Sequence, residues 1–471
     1  MADTIYDVAI IGSGPAGYTA AIRAGQLGLK TALIEKDPYL GGTCLHVGCI
    51  PTKALLFNAE VFDHVKDGAA LGFENTAGVT LNWPNIQKRK QGIVDKHTKG
   101  LSFLMKKNKV TVIEGYGKLT GPAKGGVHTV EVEGKSGKST VSAKNVILST
   151  GSVARMLPGL TADDRILSNI EVLSLDNIPK SLIVIGSGAV GVEFASIYKS
   201  FGTDVTILEM LPRYVPVEDE EISKELARVY RKRGINGFVN AKVEKVERTK
   251  DGVAVTFTVD GKQQKLEADK VLIAVGRAPR TENVGIEKTK IEVERGFVKT
   301  DEYMRTAEPG IYAIGDIAMG YPQLAHAGAM EGIVAVTHIS GKPTKPINKS
   351  RIPNATYCHP EIGSVGLTEA KAREQGYDVK VGKFPFTANS RASIVGQHDG
   401  FVKIVTDAKH GEILGVHIIG PTATELIAES VVALEMECTA EDLANIIHAH
   451  PTLSEAMLDG ANAVFGMAIN A

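Results

Sequence analysis

Two stretches of this chain follow one pattern, and that repetition constrains the fold more than any other feature. The first runs Tyr6–Ile11, then Gly12-Ser13-Gly14-Pro15-Ala16-Gly17, then the small-residue run Tyr18–Ala24. The apolar run predicts a buried parallel strand. The Ala-rich run predicts a helix whose small side chains let it lie close on a sheet. Thr31–Ile34 predicts a second strand, ending in Glu35. The second stretch repeats this: strand Ser181–Ile185, turn Gly186-Ser187-Gly188-Ala189-Val190-Gly191, a helix from Val192, and strand Val205–Leu208 ending in Glu209. In both copies the acid lies 18 residues past the last glycine of the turn. Bare Gly-x-Gly-x-x-Gly is a weak pattern in a chain with 50 glycines among 471 residues. A strand before it, a helix after it and a matched acid give it weight. The glycines allow a tight turn and close approach of a pyrophosphate, the helix N-terminus offers unpaired N–H groups, and the acid accepts hydrogen bonds from an adenosine ribose. Two dinucleotide sites are expected.

Around these units the chain alternates strand and turn signals. Asn145–Gly151 and Lys270–Gly276 read as closing strands of the two nucleotide-binding domains, and Gly310–Asp316 as a short strand ending in Gly-Asp. Residues 109–143 and 241–268 alternate apolar and polar with turn residues between, which predicts β-hairpins. The length predicts three or four domains, and 43% apolar residues suffice to bury large cores. Lys plus Arg is 53 against 54 Asp plus Glu, a net charge of −1, so no basic footprint for nucleic acid stands out. Lys88-Arg89-Lys90 and Arg231-Lys232-Arg233 read as solvated helix faces. No run of 18 apolar residues predicts a membrane span. Met1–Tyr6 shows no basic leader, and four cysteines do not make a secreted disulfide scaffold, so a soluble cytoplasmic enzyme is expected.

Two of those cysteines lie in Gly41-Gly42-Thr43-Cys44-Leu45-His46-Val47-Gly48-Cys49-Ile50-Pro51-Thr52-Lys53. In a regular helix this spacing leaves the Cα atoms about 8 Å apart, beyond the roughly 7 Å limit for a disulfide. A bond between them needs a distorted, tight loop, which Gly48 and Pro51 suit. So short a loop removes little unfolded-state entropy, which favours a reactive role over a structural one. Lys53 is placed to stabilise a thiolate or a flavin anion. Metal binding is not expected, since no second Cys/His pair has zinc spacing. Cys358 and Cys438 stand alone and read as core or surface thiols.

Near the C-terminus, Ile447-His448-Ala449-His450-Pro451-Thr452-Leu453-Ser454-Glu455 offers a base for thiol chemistry. Histidine titrates in the range such a proton transfer needs. A carboxylate on the other ring nitrogen fixes its tautomer. Pro451 is expected to start a helix that turns Glu455 back toward His450.

The cysteine segment is similar to the redox motif of the flavoprotein disulfide reductases, the class I pyridine nucleotide-disulfide oxidoreductases. The resemblance covers essentially the whole chain and is greatest to the branch that oxidises dihydrolipoamide. The family pattern usually has Asn where this chain has His46, and it differs again at Ala327 and Gly328. The resemblance implies an α/β fold: two Rossmann-like FAD/NAD(P)-binding domains plus a C-terminal α+β dimerisation domain. The implied boundaries are 1–150 for FAD, 151–279 for NAD, 280–350 for a central domain completing the flavin site, and 351–471 for the interface. It implies that Cys44 is the interchange thiol and Cys49 the thiol beside the flavin, joined as a disulfide in the oxidised enzyme. It assigns His450 as base and Glu455 as its partner, with His450 reaching the disulfide of the other subunit of a homodimer.

By the same resemblance FAD is held by Gly12, Gly14, Gly17, Glu35, Lys53, Gly117, Thr150, Asp316 and Ala325. The nicotinamide nucleotide is held by Gly186, Gly188, Gly191, Glu209, Val243 and Gly276. The choice of NAD has a direct argument: Glu209 accepts bonds from a ribose 2′-OH and repels a 2′-phosphate. Dihydrolipoamide is expected to arrive on lipoyl-bearing proteins of 2-oxoacid dehydrogenase or glycine cleavage complexes. The rival readings are a glutathione, trypanothione or mercuric reductase, and a non-catalytic flavin-binding scaffold. Glu209 and a C-terminus without a cysteine pair speak against the first group. Cys44, Cys49 and His450 together speak against the second.

Overall fold

The structure, a computed structural model, describes residues 4–470. The leader-free reading of the first three residues, and the final alanine, lie outside the described residues. The chain divides into two compact units. One comprises Met1–Ala54, Asn85–Arg155 and Arg277–Ile347, the other Leu55–Pro84, Met156–Gly276 and Asn348–Ala471.

In the first unit, β1 (Ile5–Ile11), α1 (Pro15–Gln26) and β2 (Thr31–Glu35) form the predicted strand–helix–strand. Then come α2 (Gly42–Val47), α3 (Cys49–Lys66) and α4 (Trp83–Lys107), the last two running on from or into the other unit. Strands β3 (Thr111–Glu114), β4 (Tyr116–Leu119), β5 (His128–Gly134) and β6 (Gly137–Leu148) follow. The sheet order is β3-β2-β1-β6-β5-β4, with Ile311–Ala313 also paired to β6. Two features differ from the sequence expectation. Thr111–Glu114 is no hairpin arm but lies parallel to β2. The hairpin arm and the closing strand are one 12-residue strand, antiparallel to β5 at its start and parallel to β1 through Val146–Leu148 at its end. Val8, Ala9 and Ile10 on β1 are fully buried, as are Val146–Leu148. Each fully buried Val, Leu or Ile contributes about 1.5–3 kcal/mol, so the strand ends that carry the turn are held firmly.

The second unit repeats the design with β7 (Ser181–Ile185), α5 (Ala189–Ser200), β8 (Asp204–Leu208) and α6 (Glu220–Lys232). A three-stranded antiparallel sheet follows: β9 (Lys242–Arg248), β10 (Val253–Val259) and β11 (Lys262–Ala268). Next, β12 (Lys270–Ile273) lies parallel to β7. Residues 348–471 build a five-stranded antiparallel sheet, β13-β14-β17-β16-β15. Its strands are β13 (Asn354–Thr356), β14 (Glu361–Gly366), β15 (Val379–Pro385), β16 (Phe401–Asp407) and β17 (Ile413–Gly420). Every residue of β16 and β17 is buried, because helices cover the sheet and leave neither strand a solvated face.

The two basic runs are not wholly solvated. Lys88 and Arg89 are exposed, but Lys90 is buried and burial lowers its pKa. Arg233 donates to Ser196 Oγ, Ser200 Oγ and the His359 carbonyl. Of the lone thiols, Cys358 is buried and Cys438 half-buried.

Candidate functional site

The two glycine turns are close copies in three dimensions. Gly12 has φ +101° and Gly186 has φ +100°, conformations that only glycine adopts without strain. A Cβ on Gly17 would lie 1.9 Å from the Gly12 carbonyl oxygen, and one on Gly191 would lie 1.9 Å from that of Gly186. The third glycine of each turn therefore lets the helix start against the turn itself. Gly14 and Gly188 differ in kind, since a Cβ on either meets nothing within 4 Å. Each is the N-cap of its helix without a side-chain cap hydrogen bond, so no cap side chain engages the first-turn N–H groups.

The acids are copies too. Glu35 Oε2 accepts from Ser13 N at 2.8 Å and Ser13 Oγ at 2.7 Å, while Oε1 accepts from Asp37 N at 3.0 Å. Glu209 Oε2 accepts from Ser187 N and Ser187 Oγ, each at 2.7 Å, and Oε1 from Leu211 N at 2.8 Å. A carboxylate has about four acceptor positions, so each retains capacity for a ribose hydroxyl. The turn serines were not singled out from the sequence, although the repeated Gly-Ser-Gly was a signal for them. A helix N-terminus without a side-chain cap beside a buried, oriented acid fits a dinucleotide in both units. Arg213, near Glu209 in sequence, donates instead to the carbonyls of Pro216 and Glu218, at 2.9 and 3.4 Å.

In the first unit the cysteine segment is a helix broken at Gly48, not a loop. Cys44 sits in α2 and Cys49 opens α3, with Gly48 at φ −146°, ψ −117° between them. A Cβ on Gly48 would lie 2.9 Å from the Thr43 carbonyl oxygen and 3.2 Å from Cys44 Cα. The chain is therefore tight around the break, and a side-chain hydrogen bond joins the two thiols across it. That bond and burial push the Cys44 thiol far above its ordinary range, while Lys53 pulls the other way. Pro51 falls in the first turn of α3, where a missing N–H costs nothing. Tyr18, on α1, was not singled out from sequence. Burial, then the charges of Cys44 and Cys49, hold its hydroxyl above the usual phenol range.

Other expected flavin contacts lie in the same unit. Thr150 Oγ1 donates to the Arg280 carbonyl at 2.5 Å. The Asp316 carboxylate accepts from Ser152 Oγ, which accepts in turn from Arg277 Nε at 2.7 Å. Burial lowers the Arg277 pKa. Ala325 begins the helix Ala325–Ile339, whose N-cap, Leu324, makes no side-chain cap bond. Gly328 and Gly332 let this helix close on α1. A Cβ on Gly332 would lie 2.8 Å from the Ala16 carbonyl oxygen, and one on Gly328 would lie 3.1 Å from both Ala16 Cβ and Gly315 Cα. A Cβ on Gly117 would touch methyls of Ile11 and Ile34 at 3.2 Å.

In the second unit, Val243 lies at a bulge in β9 and packs, partly buried, on the nucleotide-domain core. Gly276 has φ +106° and open space where a Cβ would sit. His450 Nδ1 lies 2.8 Å from Glu455 Oε1, and Thr452 N donates to Glu455 Oε2 at 2.8 Å. Burial raises the Glu455 pKa, but the Thr452 N–H and the His450 ring together outweigh it and bring the carboxyl below its ordinary value. Pro451 does not start the helix as expected. It follows a cis peptide bond, and the helix runs Glu455–Ala463. Glu455 reaches His450 because it stands at the first turn of that helix, behind a tight 450–454 loop. Among the described residues no cluster of three His, Cys, Asp or Glu is arranged to hold a metal ion, and no helix is long and apolar enough to cross a membrane.

Two dinucleotide turns, a juxtaposed thiol pair and a carboxylate-bound histidine define a class, and comparison with known proteins agrees with it. Residues 6–332 match the pyridine nucleotide-disulphide oxidoreductase family and residues 352–461 its dimerisation domain, so the chain belongs to that family. Its cofactors are FAD and NAD. The dihydrolipoyl dehydrogenases of Bacillus subtilis and Rhizobium etli are each 45% identical to it, over 99% of both chains. The crystal structure of LpdA from Mycobacterium tuberculosis superposes with TM-score 0.89 at 30% identity, covering 97% of this chain and 98% of that one.

Proposed function

We propose that this chain is a homodimeric, cytoplasmic enzyme that oxidises protein-bound dihydrolipoamide to lipoamide and reduces NAD. The observation that carries the reading is the contact between the Cys44 and Cys49 thiols across the break at Gly48. Such a pair closes to a disulfide with little movement and reopens when a dithiol attacks. Full-length relatives named dihydrolipoyl dehydrogenase, and the match to a dimerisation domain, support the substrate class and the dimer. Four cysteines, two of them in the reactive pair, are in keeping with a reducing compartment.

In this reading one thiolate of dihydrolipoamide attacks Cys44, and the thiolate of Cys49 leaves. The second substrate thiolate then displaces Cys44, releasing lipoamide and leaving both cysteines reduced. His450, its Nδ1 engaged by Glu455, takes the proton of the first attacking substrate thiol at Nε2, acting on the pair of the partner subunit, and the proton of the second substrate thiol goes to Cys44 as its thiolate leaves. Lys53 offsets negative charge at the thiols. The Gly12–Gly17 turn with Glu35 would hold FAD, together with Gly117, Thr150, Asp316 and Ala325. The Gly186–Gly191 turn with Glu209, Val243 and Gly276 would hold NAD. The bound flavin and nicotinamide supply the two-electron acceptor chemistry. Domain limits at about residues 150, 279 and 350 belong to the same proposal, as do lipoyl-bearing proteins of 2-oxoacid dehydrogenase or glycine cleavage complexes as partners.

A substrate panel at fixed NAD tests this. Dihydrolipoamide is expected to support NADH formation, and glutathione and trypanothione are not. Cys49→Ser is expected to retain FAD and lose lipoamide-dependent NADH formation. Normal turnover by that variant would falsify the scheme.

A further inference from the structure

The segment carrying Cys44 is too short to hold itself in place. α2 has six residues, far below the length at which a helix is stable alone. It is not continued rigidly into α3, because Gly48 between them is not helical. What positions Cys44 must therefore come from outside α2.

His46 supplies such a tether. Its Nε2 lies 2.8 Å from the Leu40 carbonyl oxygen. A carbonyl only accepts, so Nε2 carries the proton and donates. The ring also packs on Tyr39, with centroids 4.0 Å apart and planes at 39°. The anchor is itself fixed. Leu40 is buried, and the next residue, Gly41, donates its N–H to the Ser13 carbonyl at 3.0 Å. Ser13 is bound to Glu35. A continuous run of contacts thus ties the first nucleotide turn to the residue two positions beyond Cys44.

We propose that His46 is a positioning residue for the reactive pair. By fixing α2 to Leu40 it holds Cys44 beside Cys49, favours the disulfide, and so lowers the reduction potential of the pair. The proposal rests on the redox reading of Cys44 and Cys49 and adds a residue that sets their poise. The physical basis is effective concentration: two thiols held together close to a disulfide more readily than two that move independently. Reach decides which residues can substitute. Glutamine carries its donor nitrogen three bonds from Cβ, as His46 Nε2 is, whereas asparagine carries it two bonds away.

The test equilibrates holoenzymes with graded mixtures of reduced and oxidised dithiothreitol. Reduced dithiothreitol gives two electrons and two protons to the pair. The Cys44–Cys49 bond breaks as the reagent's own disulfide closes. Alkylation and mass spectrometry of the peptide carrying both cysteines gives the oxidised fraction. His46→Ala is expected to lower the disulfide-to-dithiol equilibrium constant three- to tenfold, a potential higher by about 14 to 30 mV. His46→Gln is expected to stay within about twofold of wild type. Equal potentials for wild type and His46→Ala overturn the proposal, as do equal shifts in the two variants. Should His46→Ala not fold, Tyr39→Ala, at a residue 45% exposed, carries the test. A shift to higher potential supports the tether, and no shift overturns it. If the wild-type pair does not titrate as a two-electron couple, the redox reading of the cysteines is what fails.

Discussion

The carboxylate of Glu455 is held from both sides, by His450 Nδ1 at 2.8 Å on Oε1 and by the Thr452 N–H at 2.8 Å on Oε2. The acid therefore has one orientation, and it gives the imidazole one tautomer, leaving Nε2 outward. Glu455→Gln is expected to reduce kcat for dihydrolipoamide about 10²-fold with a smaller change in KM, and His450→Gln about 10²- to 10⁴-fold. Steady-state kinetics at saturating NAD decide it. Wild-type kcat in Glu455→Gln would remove the orienting role.

The middle and last glycines of the second turn separate two causes of failure. Gly188→Ala meets no protein atom within 4 Å, whereas Gly191→Ala would drive a Cβ to 1.9 Å from the Gly186 carbonyl oxygen. Gly188→Ala is expected to leave thermal stability within about 1 kcal/mol of wild type, the usual scale of an N-cap change, and to weaken NAD binding. Gly191→Ala is expected to lose both. Calorimetric NAD titration beside a melting curve distinguishes them, and unimpaired NAD binding by Gly188→Ala would argue against a dinucleotide at that turn.

Glu209 receives three hydrogen bonds from its own unit, and Arg213 is engaged elsewhere. Replacing the acid removes repulsion toward a 2′-phosphate. Glu209→Arg is expected to raise kcat/KM for NADP relative to NAD by at least about tenfold, which corresponds to about 1.4 kcal/mol. An unchanged ratio means that cofactor choice is made by other residues.

Lys403 is 2% exposed and lies within 3.0 Å of three carboxylates, those of Asp219, Glu221 and Glu369. Removing it strands charges in a buried setting. Lys403→Met is expected to cost about 3–5 kcal/mol at neutral pH. Burial opposes ionisation of Asp219, but the bond to Lys403, its charge and the Glu221 N–H together outweigh burial, and the Asp219 pKa falls below the ordinary value. The same balance lowers Glu221. Carboxylates with lowered folded pKa values stabilise the fold above their unfolded values and lose that contribution as pH falls. The gap between wild type and variant should therefore narrow below about pH 4. Urea unfolding from pH 3 to 8 measures it, and a gap independent of pH would show that packing, not charge, holds Lys403.

Much of the site was legible because its signals are local. Gly12 and Gly186 need positive φ, Gly17 and Gly191 need a missing Cβ, and an acid ends each second strand. All of these are set within about 25 residues of chain. Less local features were not legible. That Lys90 and Arg233 are drawn in from solvent depends on partners distant in sequence or on packing. So does the engagement of Ser13 and Ser187 with the acids. The joining of a hairpin arm and a closing strand into one β6 depends on which neighbours pair along its length. A hydrophobic alternation does not name its partners.

The sequence by itself determined that this chain has two glycine turns of the dinucleotide pattern, a closely spaced cysteine pair and a histidine with a carboxylate five residues on, because each rests on backbone geometry or reach within a short segment. Tertiary structure alone decided that the pair meets across a helix broken at Gly48, that residues 277–347 rejoin the first nucleotide unit, and that His46 is tied to Leu40. Those outcomes depend on close approach between segments, where a carbonyl oxygen 2.9 Å from a missing Cβ, or a ring nitrogen 2.8 Å from a carbonyl, settles the arrangement.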